Sequence, residues 1–111
     1  MAKPDAERRS GNRRRALLGA IVTYDDGKFS FPCTVRDLSE TGARIAIPNG
    51  AQIPSQFYLI IVRDCVAYDA RRTWQNGAEA GADFDRTIHL ADISDPALGY
   101  LNRLWLERAA R

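Results

Sequence analysis

FPCTVRDLSETGARIAI, residues Phe31 to Ile47, reads as two strands and the tight connection between them. Phe29, Phe31, Cys33 and Val35 alternate with Ser30, Pro32, Thr34 and Arg36, a period of two that gives a strand one dry face. Ala43, Ile45 and Ile47 then alternate with Arg44 and Ala46. Between the runs lies Asp37-Leu38-Ser39-Glu40-Thr41-Gly42. It offers a carboxylate, a hydroxyl, and a glycine where the backbone can turn or be approached closely. Pro32 lacks an N–H, which suggests an edge position or a bulge.

Working outward, Leu17, Leu18, Ile21, Val22 and Tyr24 form an earlier strand-like segment, and Asp25-Asp26-Gly27-Lys28 joins it to Phe29 as a hairpin. Downstream, Pro48-Asn49-Gly50 is a turn, Phe57 to Val62 a strand, and Val66 to Trp74 another. Gln75-Asn76-Gly77 turns the chain into a last strand, Ala78 to Phe84, whose interior Gly81 marks a bulge or a close backbone approach. His89 reads as a loop residue. Asp95-Pro96 opens a helix over about residues 95–108, with Asp as N-cap and Pro in the first turn. Leu98, Leu101, Leu104 and Trp105 give it an apolar stripe. Short strands followed by one helix predict a small antiparallel barrel with the helix across one opening.

The chain has 111 residues, which suits one domain with its own core. Its net charge of +2 does not indicate a wholesale polyanion binder. Yet Arg8, Arg9, Arg13, Arg14 and Arg15 fall within the first fifteen residues, against only Asp5 and Glu7, a local excess suited to an anion. Residues 1–12 read as a flexible arm and residues 13–111 as the barrel with its helix. Cys33 and Cys65 sit in apolar context and read as free thiols of a reducing compartment. One histidine and no CxxC leave no metal set. No apolar run reaches the roughly 20 residues that span a bilayer, and no apolar leader follows the charged start. A cytoplasmic location without membrane insertion is the expectation.

Arg9 and Arg13 are four apart, so in an extended chain they share a face with Cα atoms about 13 Å apart. Two long side chains can converge from there on one small ligand. A guanidinium matches phosphate oxygens, or the O6 and N7 of guanine, with paired donors. An aspartate is the natural acceptor for the N1 and N2 donors of guanine, and Ser39 adds a hydroxyl. Arginines for phosphate plus an aspartate for the base make a guanine-nucleotide site. No nucleophile–base pair, metal set or carboxylate dyad points to an enzyme.

Arg8-Arg9-x-x-x-Arg13 followed by Asp37-x-Ser39-x-x-Gly42 resembles the two-part signature of PilZ domains, bacterial receptors for cyclic di-GMP. Trp74, Gly81 and Phe84 resemble that family's closing pair of strands. The resemblance implies a six-stranded antiparallel barrel with the arginine segment as a strap that closes on the ligand. It implies phosphate and Hoogsteen-edge contacts from Arg9 and Arg13, guanine reading by Asp37, and a loop completed by Ser39 and Gly42. Arg8 stands where an arginine favours a stacked, intercalated pair of nucleotides. No cofactor is expected beyond that ligand, and a separate, unidentified protein partner is expected to receive the signal.

Four alternatives compete. The arginines could form a merely solvated basic tail. Asp37 and Ser39 could only shape the turn. The barrel could be a nucleotide-independent interaction module. A nucleic-acid-binding barrel ranks last, because interleaved aromatics are few and the charge is modest. Trp74 is expected in the core or at the barrel rim, and Arg71 and Arg72 on the strand surface.

Overall fold

The computed structural model describes residues 14–109, and the side chains of residues 17–109. Six strands form: β1 (Arg14–Tyr24), β2 (Phe29–Leu38), β3 (Gly42–Ala46), β4 (Gln56–Ile61), β5 (Val66–Asn76) and β6 (Glu79–His89). They close into an antiparallel barrel in the order β1-β2-β3-β6-β5-β4, and one helix, α1 (Gly99–Ala109), follows. The expected all-β class is therefore observed. Closure removes the exposed edges that short strands would otherwise leave.

The interior comes from the predicted alternation. Val22, Val35, Ile45, Leu59 and Ile61 are fully buried in one cluster. Asp25-Asp26-Gly27-Lys28 connects the paired residues Tyr24 and Phe29, whose rings stack. Asp25, Asp26 and Gly27 all take positive φ there, a conformation that aspartate and glycine tolerate better than most residues. Pro32 pairs with Ile21 of β1. Pairing of β2 with β3 starts only at Thr34, so Pro32 does stand at a local edge.

Two strands run further than their apolar stretches, β5 to Asn76 and β6 to His89. β6 continues to His89, through Asp85, Arg86 and Thr87, because β5 pairs with it to the end. Arg86 lies 3.9 Å from Asp69 across that pair. His89 is accordingly the last strand residue, opposite Val66, rather than a loop residue.

The helix also differs from expectation. Asp95 accepts a hydrogen bond from the Ala97 N–H at 2.9 Å, but it caps a single 3-10 turn, Pro96–Leu98, and α1 follows from Gly99. Leu101, fully buried, packs on Ile21, Ile60, Ala67, Ile88 and Leu90. Ile21 and Ile60 are the neighbours, in sequence, of the inward-facing Ala20, Val22, Leu59 and Ile61. Alternation places them on the outside of the barrel. The helix therefore covers the outer wall of β1, β4, β5 and β6, not an opening. The Trp105 indole N–H donates to the Val62 carbonyl at 2.8 Å and fixes the end of the helix.

Candidate functional site

Asp37 continues the parity of Cys33 and Val35, and an unbroken strand would aim it into the core. A register shift between Val35 and Asp37 prevents this. Val35 pairs with Ile45, and Asp37 pairs with Arg44, so Arg36 is an extra residue. The bulge moves Asp37 to the outer face and leaves Leu38, opposite Ala43, to resume the inward row. A second shift in β5, between Arg72 and Trp74, places Trp74 opposite Gly81. Gly81 is itself opposite Arg44. Asp37, Arg44, Gly81 and Trp74 thus form one row across four strands on the outside of the barrel.

Within that row, the Arg44 Nε–H donates to Asp37 Oδ2 at 2.5 Å, and Arg44 Nη1 donates to Glu79 Oε2 at 2.6 Å. The hydrogen bond to Asp37, ahead of the opposing effect of partial desolvation, raises the Arg44 pKa further. Arg44 is therefore a permanent cation held between two carboxylates. Asp37 is almost covered, Arg44 is partly exposed, and Glu79 is more open. Trp74 is half-exposed, and its indole Nε1 lies so close to Gly81 that no Cβ fits there. The close approach inferred for Gly81 is thus made by Trp74, which lies on the outer face rather than in the core.

Ser39 turns the chain. Its Oγ accepts from the N–H groups of Thr41 and Gly42 at 3.2 and 3.1 Å, and its own N–H donates to the Gly42 carbonyl at 2.9 Å. This is a serine turn that holds Asp37 and Gly42 at opposite ends of one hairpin. Gly42 has no positive φ. A Cβ on it would come within 2.5 Å of the Ala82 carbonyl oxygen, so β3 and β6 can lie this close only with glycine here. Of the two roles open to this glycine, close approach is the one observed.

Arg8, Arg9 and Arg13 lie outside the described residues. The start of β1 is described: Arg14 is opposite Leu38, and Arg15 is opposite Asp37. The last two arginines of the run, Arg14 and Arg15, are therefore paired with the strand that leads into the Asp37–Gly42 corner. A register shift between Arg15 and Leu18 marks a further bulge here, and Leu17 stands exposed there. Arg71 is engaged by Asp85 at 3.3 Å and Asp83 at 3.8 Å. Arg72 donates to the Ile53 carbonyl at 2.6 Å and ties down the loop before β4.

A recess of about 380 Å³ is lined by Tyr24, Asp25, Asp26, Tyr58, Asp69 and Tyr100. Its three carboxylates would repel a phosphate, so it does not compete as an anion site. Among the described residues no cluster of His, Cys, Asp and Glu is arranged for a metal. No described helix is long and apolar enough to cross a membrane.

Sequence reasoning passed over Arg44 and undervalued Trp74. The available signal was a break of phase: Cys33 and Val35 are followed by Leu38, not by an apolar residue at position 37.

The model of one family, the PilZ domain, matches residues 7–104. Among solved structures, the chain is similar to the PilZ domain of CeSA from a cellulose-synthesizing bacterium. Identity is 19%, the match covers 87% of this chain and 97% of that one, and the TM-score is 0.55. At that identity the likeness speaks for the fold alone. No curated protein matches the sequence.

Proposed function

This chain belongs to the PilZ domain family, a family of cyclic di-GMP receptors rather than enzymes, and from that premise we propose that it is itself a receptor for this dinucleotide. Arg8, Arg9 and Arg13 supply the guanidinium groups for phosphates and guanine Hoogsteen edges. Asp37 accepts from guanine N1 and N2, and the Ser39 turn with Gly42 holds the corner in shape. The ligand draws the arm of residues 1–12 onto the barrel. The closed arm presents a surface to a separate protein partner in the bacterial cytoplasm.

The observation that carries this reading is the register of β1 on β2, with Arg14 opposite Leu38 and Arg15 opposite Asp37. Arg13 directly precedes Arg14 in sequence, and the pairing of Arg14 and Arg15 with Leu38 and Asp37 supports a shared site for two motif halves more than twenty residues apart. An arm fixed by a ligand costs about 1–2 kcal/mol per ordered backbone residue. Charge-assisted hydrogen bonds at about 1.5–3 kcal/mol each offset that cost, so each one counts. Arg9→Ala and Arg13→Ala are expected to abolish cyclic di-GMP binding in a calorimetric titration while the circular dichroism stays unchanged. Wild-type affinity in either variant contradicts the reading.

Arg8 extends it to an intercalated pair of nucleotides, since one more cation offsets the crowding of four phosphate charges. The same titration should saturate at two nucleotides per chain, and saturation at one rejects the pair.

A second reading has an observation in its favour. The Ser39 hydroxyl is engaged by its own loop and Asp37 by Arg44, as in a barrel that only displays a surface. A partner bound equally well with and without nucleotide would select that reading.

A further inference from the structure

We infer that Arg44 is a positioning residue of the nucleotide site, a strut that fixes the Asp37 carboxylate in the orientation needed to distinguish guanine from related bases. The inference rests on the receptor reading above and adds to it the residue that sets base selectivity.

The geometry is that of a bridge. Arg44 lies between two carboxylates, one on β2 and one on β6, and it donates to each through a different nitrogen. Its Nε takes Asp37 Oδ2, and its Nη1 takes Glu79 Oε2. The planar guanidinium fixes the angle between those two bonds. Lysine, with three rotatable donors on a flexible stem, could touch both carboxylates but would not fix the angle between them. Asp37 itself stands on a bulge, where ladder pairing restrains the backbone less. Its side chain therefore needs an external restraint if both oxygens are to meet two donors on one base.

The bond to Arg44 does not prevent that meeting. Each carboxylate oxygen has two acceptor sites, so Oδ2 can receive the Arg44 Nε–H and one guanine N–H together. Without Arg44, a nearly buried carboxylate would lose the cation beside it and turn toward water, away from the base. Glu79 is more exposed than Asp37 and holds only the far end of the strut. Its loss should loosen Arg44 without freeing Asp37.

The test is calorimetric titration of the whole chain with cyclic di-GMP and with its inosine analogue, which lacks the 2-amino donors. The wild-type protein should prefer cyclic di-GMP. Arg44→Met should weaken cyclic di-GMP binding about tenfold or more, the size of one charge-assisted hydrogen bond. It should weaken the inosine analogue much less, so the preference collapses. Arg44→Lys should lose most of the preference as well, and it guards against a folding defect in the methionine variant. Glu79→Ala should lower the preference by a smaller factor.

A folded Arg44 variant that keeps the wild-type preference overturns the inference, whether both affinities are unchanged or both fall by the same factor. The receptor reading would survive that result. Wild-type protein that binds neither nucleotide removes the receptor reading, and the strut with it.

Discussion

Cys33 shows how far the barrel interior excludes water. Burial pushes its thiol up from 9.0 to about 12. The unfolded chain ionises this thiol from about pH 9, and the folded one does so only near 12. The protonated fold is thus favoured in full below pH 9, and stability falls as pH rises from there toward 12. The loss should be about 1.4 kcal/mol per pH unit within that window. Denaturant unfolding of the wild type and of Cys33→Ala across pH 8 to 11 should show a slope in the first that is shallower in the second. Equal slopes would contradict the assignment. Gly42 makes a steric demand instead. Gly42→Ala places a methyl against the Ala82 carbonyl and should cost about 1–3 kcal/mol, measured by thermal or denaturant unfolding. Unchanged stability would mean that β3 and β6 can part without cost.

The strands were legible because their dry faces obey a period of two, and every one of the six lies where an apolar run stands. Their ends and bulges were not. Arg36 and the register shift before Trp74 are set by pairing across the sheet, which no single strand records in its own residues. The same cause hid Arg44, an alternating polar residue of β3 whose meaning depends on facing Asp37 on one side and Gly81 on the other. The helix is the clearest case. Its stripe of Leu98, Leu101, Leu104 and Trp105 was visible, but its docking face was not, because Ile21, Ile60, Ala67 and Ile88 reach it from four separate strands. Leu101→Ala should cost about 2–5 kcal/mol, as for other fully buried leucines, with the loss read by denaturant unfolding. A cost under 1 kcal/mol would mean that the helix is not part of the cooperative unit.

Across the whole molecule, two walls of one barrel do different work. The wall of β1, β4, β5 and β6 is covered by α1 and is apolar under it. The wall crossed by Asp37, Arg44, Gly81 and Trp74 carries charge and an exposed indole, and bulges in β1, β2 and β5 surround it. Bulges that redirect side chains beside a site are a recurring device of β proteins. This division leaves the candidate site on an open surface. The hairpin that carries Asp37, Ser39 and Gly42 was readable from sequence, since the three lie between two alternating apolar runs. Its supports were not, because Trp74 and Glu79 arrive from the far end of the chain. The account predicts that the fold is complete without nucleotide and that ligand raises the melting temperature in proportion to its excess over Kd.

Calorimetric titration of the intact protein with cyclic di-GMP, set against GTP and cyclic di-AMP, tests the central claim most directly. Saturable binding of cyclic di-GMP at cellular concentrations, with neither control bound, is the predicted result. No heat with cyclic di-GMP, or equal binding of all three, would contradict it.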